Sequence, residues 1–329
     1  MDIHAETAGQ IKEVLQAREE LMQVVFDGLP ISGLRGFLYS ASTLYEGYRL
    51  GEPDSYEDTY DCRTYRHYLE AGSQASDIKE TLARVLHDHA INDALHTFLS
   101  RFDEREVVGI MGGQGLMRTD TRYRQVALIS KKLAEKGYLM VSGGGPGAMD
   151  ATHLGAWLAG KEDDTLDKAL EILSSAPSFK DRSWLETAFR VMEAFPCPQA
   201  VSLGMPTWLY GHEPATPFAT HIAKYFDNST REDNIVTIAK GGIIYSPGSA
   251  GTMQEIFQDA VQNHYLSFGY ASPMIFLGEE YWTEEMPVYR LMKHLVDKGK
   301  YSNLLLDLTD STEEIIDILD KFRNHDNKI

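Results

Sequence analysis

The sequence predicts an α/β protein with a doubly wound, mostly parallel sheet and an N-terminal helical extension. The first observation is that residues 1–105 contain no β-type alternation and repeat apolar residues at helical spacing. The second is that residues 106–329 alternate short apolar runs with helical stretches, which is typical of βαβ units. The length of 329 residues suits about two domains, and we place their boundary at residue 105.

The composition narrows the classes of function. A hydrophobic share of 43% and a charged share of 24% are those of an ordinary globular protein. The formal net charge of -18 opposes binding to nucleic-acid polymers and to anionic membranes. The two cysteines, Cys62 and Cys197, lie far apart and form no disulfide framework or zinc motif. Because no membrane-length apolar run and no signal-peptide pattern are found, we expect a cytoplasmic protein. His212 and His221 have no HxxxH or HExxH partner, so we expect no metal.

Within residues 1–105, helical spacing is clearest at 11–25 and 78–99. Between these stretches, residues 45–68 are acidic and contain six tyrosines. The rings form either a surface for a partner or half-buried packing against the rest of the chain. We expect residues 1–105 to pack on the core and to support regulation or assembly into a homodimer or higher homo-oligomer.

The α/β part is predicted element by element from its apolar runs. Strands are expected at 107–111, 138–142, 200–203, 242–245, 274–277 and 304–308. Helices are expected at 122–136, 148–158, 184–194, 218–226, 231–240, 253–265, 286–298 and 312–323. Residues 160–182 are charged and rich in small side chains, and we interpret them as a surface excursion that ends in a capping box, Ser183-x-x-Glu186.

Three of the predicted strands lead directly into glycine-rich turns, at 112–115, 143–147 and 247–252. Ligands of doubly wound sheets lie at the carboxyl ends of the strands. Glycine lets the backbone approach a ligand closely, and the following helix offers free N–H groups, so these turns suit a phosphate. A single glycine-rich turn carries little information, because tight turns between a strand and a helix often use glycine for backbone geometry alone.

The second turn also fits the dinucleotide fingerprint G-x-G-x-x-A, through Gly143, Gly145 and Ala148. A dehydrogenase is therefore an alternative. The carboxylate that should bind the ribose would fall at residues 162–164, which do not end an apolar strand, so the fingerprint is incomplete.

The second and third turns together resemble the LOG family of nucleoside 5′-monophosphate phosphoribohydrolases, a group with a Rossmann-like, nucleotide-binding fold that is also described as lysine decarboxylase-like. The family motif GGGxxGxM is matched by Gly143, Gly144, Gly145, Gly147 and Met149. The motif PGGxGTxxE is matched by Pro247, Gly248, Gly251, Thr252 and Glu255. Ser249 departs from the second motif, in which a glycine is usual, and a positive φ would be costlier for serine. The likeness covers about residues 106–325.

The resemblance implies cleavage of the N-glycosidic bond of a nucleoside monophosphate, without a cofactor, in a catalytic domain at 106–329. Family members carry a catalytic arginine before the second motif, and Arg231 lies sixteen residues before Pro247. The expected catalytic residues are Arg231 and Glu255, whose carboxylate suits the positive charge that develops on the ribose. The expected substrate-binding residues are Gly113, Gly144, Gly145, Met149, Gly248, Ser249, Ala250, Gly251 and Thr252.

Each assignment has a structural alternative. Thr252-x-x-Glu255 is also a capping box, in which Glu255 satisfies only a backbone N–H group. Arg231 by itself could be a solvated surface side chain. The same glycine scaffold could also hold a nucleotide without chemistry, as in a sensor or carrier protein.

The stretch between the third strand and Arg231 is rich in aromatic residues and proline. Trp208 and Tyr210 could stack on a base, and His212 and Glu213 could bond its edge or protonate its leaving nitrogen. The alternative is a rigid loop whose aromatic rings cover the core.

Overall fold

A computed structural model of the chain describes residues 19–33, 36–75 and 77–324. The described part is built around one seven-stranded sheet with the strand order β4-β3-β2-β1-β5-β6-β7, in which every pair of neighbouring strands is parallel. The strands are β1 (Val107–Met111), β2 (Leu139–Ser142), β3 (Ser202–Gly204), β4 (His221–Ile222), β5 (Gly242–Tyr245), β6 (Pro273–Leu277) and β7 (Leu305–Thr309). The predicted α/β fold class is confirmed.

Helices cover both faces of this sheet. After a helical stretch at 19–26, the α-helices are α1 (Ala41–Leu44), α2 (Tyr60–Ala71), α3 (Ile78–Leu99), α4 (Thr121–Glu135), α5 (Ala148–Trp157), α6 (Thr165–Leu173), α7 (Trp184–Ala194), α8 (Asn228–Ile238), α9 (Ala250–His264), α10 (Val288–Asp297) and α11 (Thr312–Asn324). Short 3-10 turns occur at Pro53–Asp58, Glu104–Glu106 and Trp208–Tyr210, and a π-helical turn occurs at Tyr281–Glu285. Among the described residues, no helix is both long enough and apolar enough to cross a lipid bilayer.

The strand order sets the position of the site. The chain runs outward from β1 to β2, β3 and β4, and then returns to the other side of β1 with β5. Ligands of such sheets bind where the order reverses, which here is the gap between β1 and β5. The two strands end level with each other, because Met111 pairs with Tyr245. The first and third glycine turns therefore leave the sheet side by side.

Successive side chains of β1 point to opposite faces and join two separate cores. Val107 and Met111 belong to the core on one face, and Val108 and Ile110 belong to the core on the other. Among its described residues, the N-terminal segment (residues 1–105) contributes only to the first of these cores. The buried residues that it supplies include Tyr39, Tyr45, Tyr68, Ile91, Leu95 and Phe98. The tyrosines of residues 45–68 are buried or partly buried in this core, in line with the packing interpretation rather than an open partner surface.

Three local predictions are wrong. Residues 218–226 form no helix and instead contain the edge strand β4, which pairs with β3 and accepts a hydrogen bond from the Tyr39 N–H at Ile222 O. The excursion at 160–182 contains α6, whose residues Leu166, Ala169 and Leu173 are buried. Ser183 does precede α7, but its side chain makes no capping hydrogen bond. Tertiary pairing and burial override local spacing in the first two cases.

The first predicted N-terminal helical stretch, 11–25, is described only from residue 19 onward, and its residues 11–18 lie outside the described ranges.

Candidate active site

A cavity of about 300 Å³ opens at the carboxyl ends of β1 and β5. Its lining residues come from two glycine turns, from α5, α8 and α9, and from the loop after β3. They are Gly112, Gly113, Gln114, Met149, Tyr210, Glu213, Arg231, Glu232, Ser249, Ala250, Gly251, Thr252, Gln254 and Glu255. Eight of the eleven residues expected from the sequence lie in this lining.

The N-terminus of α9 forms one wall of the cavity. Ser249 is the N-cap residue of α9, and its side chain makes no capping hydrogen bond. The N–H groups of Ala250, Gly251 and Thr252 find no backbone acceptor among the described residues, whereas the next N–H, of Met253, donates to Ser249 O at 2.9 Å. Free N–H groups at a helix N-terminus form an anion site, since they add to the positive end of the helix dipole.

The glycine turns pack against each other beneath this wall. The N–H of Gly113 donates to Pro247 O at 3.0 Å. A Cβ atom on Gly248 would lie 2.9 Å from Gly113 N and closer still to the Thr252 hydroxyl, so only glycine fits. Ser249 has φ of -114°, so this position does not take the positive φ that would favour the glycine usual in the motif.

Three of the expected binding residues lie just behind the cavity rather than in its lining. Gly248 supports the α9 wall, as described above. Gly144 has φ of +71°, and its carbonyl accepts from Thr216 N at 2.8 Å. Gly145 lies against Met149, which does line the cavity: a Cβ atom on Gly145 would be 3.0 Å from Cε of Met149. These three glycines therefore support the residues that line the cavity and do not line it themselves.

Arg231 projects from α8 into the cavity and is only 8% exposed. Its Nε donates to Met205 O at 2.7 Å, and its Nη1 donates to Glu232 Oε1 at 2.5 Å. Its Nη2 has no hydrogen-bond partner among the described residues and lies so close to Gly143 that a Cβ there would be 2.6 Å away. This burial excludes a solvated surface arginine and leaves one donor free for a ligand.

Glu255 lies in the second turn of α9 and is also 8% exposed. Because α9 begins at Ala250, Thr252 is not the N-cap residue and the alternative capping box does not form. Burial raises the pKa of Glu255 to about 8; nearby Glu232 also raises it, and Arg231 opposes the shift. A carboxyl group with this pKa is mostly protonated at neutral pH.

Glu232 and Glu213 are two further carboxyl groups in the same cavity as Arg231. Glu232 is buried, and its Oε2 has no hydrogen-bond partner among the described residues. Burial raises the pKa of Glu213 from its ordinary value, although nearby His212 and Arg231 lower it. The sequence interpretation missed Glu232, because the charged run around Arg231 has the pattern of an exposed helix face. In the described residues, no group of three His, Cys, Asp or Glu side chains has a geometry that could hold a metal.

Some side chains of the aromatic loop after β3 line the cavity, and others are buried elsewhere or line a different cavity. Tyr210 and Glu213 line the cavity, as the sequence allowed. Trp208 does not stack there, because its ring is fully buried and its Nε1 donates to Asp61 Oδ1 at 3.1 Å. His212 lines a separate cavity next to the N-terminal segment. The fingerprint alternative gains no support, since residues 162–164 lie before α6 and not at the end of a strand.

The raised pKa of Glu255 predicts a pH-dependent stability difference. A buried acid whose folded-state pKa lies above its unfolded value stabilises the fold at low pH and loses that contribution as pH rises through about 8. Glu255→Gln carries no titrating group, so its free energy of unfolding should match the wild type near pH 4 and exceed it at pH 9 by about 5 kcal/mol, because each unit of pKa difference contributes about 1.4 kcal/mol. Urea unfolding across this range measures the difference, and a constant difference would show that Glu255 titrates normally.

Comparisons with known proteins give structural matches only. No protein-family model matches the chain, and no curated protein matches its sequence. A molybdenum cofactor binding protein from the phototrophic bacterium Rippkaea orientalis matches with 14% identity and a TM-score of 0.41, over 66% of this chain and 96% of that one. The molybdenum cofactor carrier protein from Chlamydomonas reinhardtii matches with 14% identity and a TM-score of 0.41, over 66% of this chain and 97% of that one. TM1055, a structural genomics target, matches with 20% identity and a TM-score of 0.41, over 65% of this chain and 98% of that one. Likeness at this level does not extend to ligand or activity.

Proposed function

We propose that this protein hydrolyses the N-glycosidic bond of a nucleoside 5′-monophosphate and releases free base and ribose 5-phosphate. One observation carries the proposal. The uncapped N-terminus of α9 lies in the same cavity as a buried arginine and a buried glutamate, Arg231 and Glu255. An anion site beside a buried carboxyl group and a free guanidinium donor suits a phosphorylated sugar.

In this proposal the phosphate binds to the N–H groups of Ala250, Gly251 and Thr252. Arg231 Nη2 donates to an oxygen of the phosphate or sugar, and Glu255 faces the ribose. Tyr210 and Glu213, on the loop after β3, contact the base. No lysine lines the cavity among the described residues, so the backbone N–H groups supply much of the attraction for the anion.

The reaction needs only water as a second reactant. As the bond between C1′ and the base nitrogen breaks, its electron pair leaves with the base, and positive charge develops on the ribose. The ionised form of Glu255 stabilises this charge and takes a proton from the water that bonds to C1′. The leaving nitrogen takes a proton from solvent. No cofactor enters the reaction.

The direct test is to incubate the protein with AMP, GMP, CMP and UMP and to separate free base by chromatography. Release of one or more bases supports the proposal, and the pattern identifies the base. Thermal stabilisation by a monophosphate without any product would support the alternative of a non-catalytic nucleotide binder. Neither stabilisation nor product would refute both.

A further inference from the structure

The loop of residues 207–215, here called the site loop, reaches the cavity through Tyr210 and Glu213. Three contacts hold it to the N-terminal segment at three different points. Trp208 donates to Asp61, the Tyr45 hydroxyl donates to Ala215 O, and Gly211 lies against the ring of Tyr65. Tyr210 and Glu213 therefore lie between loop residues that contact Tyr45, Asp61 and Tyr65, which are distant from them in sequence. These three residues are called the anchors below.

The anchors themselves are firmly placed. Asp61 is fully buried and also accepts from Lys224 Nζ at 2.5 Å, with neither side chain exposed to solvent. Tyr45 is buried in the core that the N-terminal segment shares with the sheet. A buried ion pair with a shared acceptor fixes geometry, because breaking it would leave an uncompensated charge. The N-terminal segment can thus hold the site loop in one position.

Gly211 shows how closely the loop fits this support. Its backbone has φ of -66° and ψ of -7°, which any residue adopts. A Cβ atom there, however, would lie 2.2 Å from Cδ2 of Tyr65. Glycine is therefore required at this position only by the approach of the Tyr65 ring, and not by backbone conformation.

We infer that Tyr45, Asp61 and Tyr65 are positioning residues, which hold Tyr210 and Glu213 where they contact the base of the substrate. The reference to a base rests on the proposed function. The N-terminal segment then sets substrate affinity without touching the substrate. A displacement of about 1 Å in a positioned group can lower the reaction rate by about a hundredfold.

A double-mutant cycle of Gly211→Ala and Tyr65→Ala tests this inference. Gly211→Ala alone should push the loop away from Tyr65 and raise KM about tenfold, with kcat changed by less than about threefold, because base contacts are made equally in the ground and transition states. In the Tyr65→Ala background the ring is gone, and adding Gly211→Ala should change KM by less than about twofold. Gly36→Ala is the matched control, since no atom lies within 4 Å of a Cβ at that position.

Hydrogen exchange of residues 207–215 and calorimetric binding of AMP give readouts that do not depend on hydrolysis. Faster exchange and weaker AMP binding when Gly211→Ala is introduced into the wild type, but not when it is added to Tyr65→Ala, support the inference even if no monophosphate is hydrolysed. Equal effects of Gly211→Ala in both backgrounds, or no effect on exchange and KM, would overturn it. If Gly211→Ala does not fold, Tyr45→Phe provides a second variant, because it removes only the hydroxyl bonded to Ala215 O. We expect Tyr45→Phe to raise both the KM and the hydrogen-exchange rate of residues 207–215. An unchanged exchange rate and KM in that variant would overturn the inference.

Discussion

Glu255→Gln is expected to abolish almost all release of base while the protein stays folded and still binds nucleoside monophosphate. Glutamine matches the size of glutamate and suits a buried helical position, but it neither stabilises positive charge on the ribose nor accepts a proton from water. A carboxylate in such a role contributes about 10²- to 10⁴-fold in rate. Initial rates of base release at saturating substrate measure the loss.

The pH profile gives this prediction a second, independent readout. The profile of kcat/KM reports the pKa values of the free enzyme, so the wild-type value should rise with pH and level off above about 8, where Glu255 ionises. Binding of the anionic substrate should weaken over the same range in the wild type, because the cavity gains a negative charge, but not in Glu255→Gln. Glu171→Gln, at an exposed position on α6, is the matched control. Wild-type rates in Glu255→Gln would make the glutamate structural and favour a non-catalytic binder.

Arg231→Ala is expected to lower kcat/KM by at least about a hundredfold, the scale of losing one aligned donor in a transition state. The structure also predicts a loss of folding stability, which the sequence did not indicate. Since Arg231 is paired with buried Glu232 at 2.5 Å, its removal leaves a buried carboxylate without a partner and should lower stability by about 3 to 5 kcal/mol. Steady-state kinetics and urea unfolding measure the two effects separately.

The double variant Arg231→Ala/Glu232→Gln separates the chemical role of the arginine from its structural role. Removing the unpaired charge should restore most of the stability, whereas the rate should stay low because the donor is still absent. Arg290→Ala on α10 is the matched control, since that arginine and its partner Glu284 are both exposed to solvent. Recovery of both rate and stability in the double variant would assign Arg231 to the fold alone.

The N-terminal segment shows where sequence reasoning reaches its limit. Helical spacing correctly predicted that residues 78–99 are helical, because the signal is local and long. Nothing in the spacing indicates that Asp61 bonds Trp208 or that Tyr65 packs on Gly211, since each contact joins residues nearly 150 positions apart. The aromatic loop could therefore be recognised as a candidate from its composition, but the choice between Trp208 in the core and Tyr210 in the cavity could not be made.

The sequence by itself determined six of the seven strands that the structure describes, and the glycine turns that follow them. β1 and β5 were predicted at their observed bounds, because a strand buried on both faces reads as an uninterrupted apolar run, and glycine marks the turns that follow. Only the tertiary structure decided that β4 is an edge strand, that Glu232 is buried beside Arg231, and that burial raises the pKa of Glu255 to about 8. The physical reason is that burial and pairing are properties of what surrounds a residue, and here the surroundings come from distant parts of the chain.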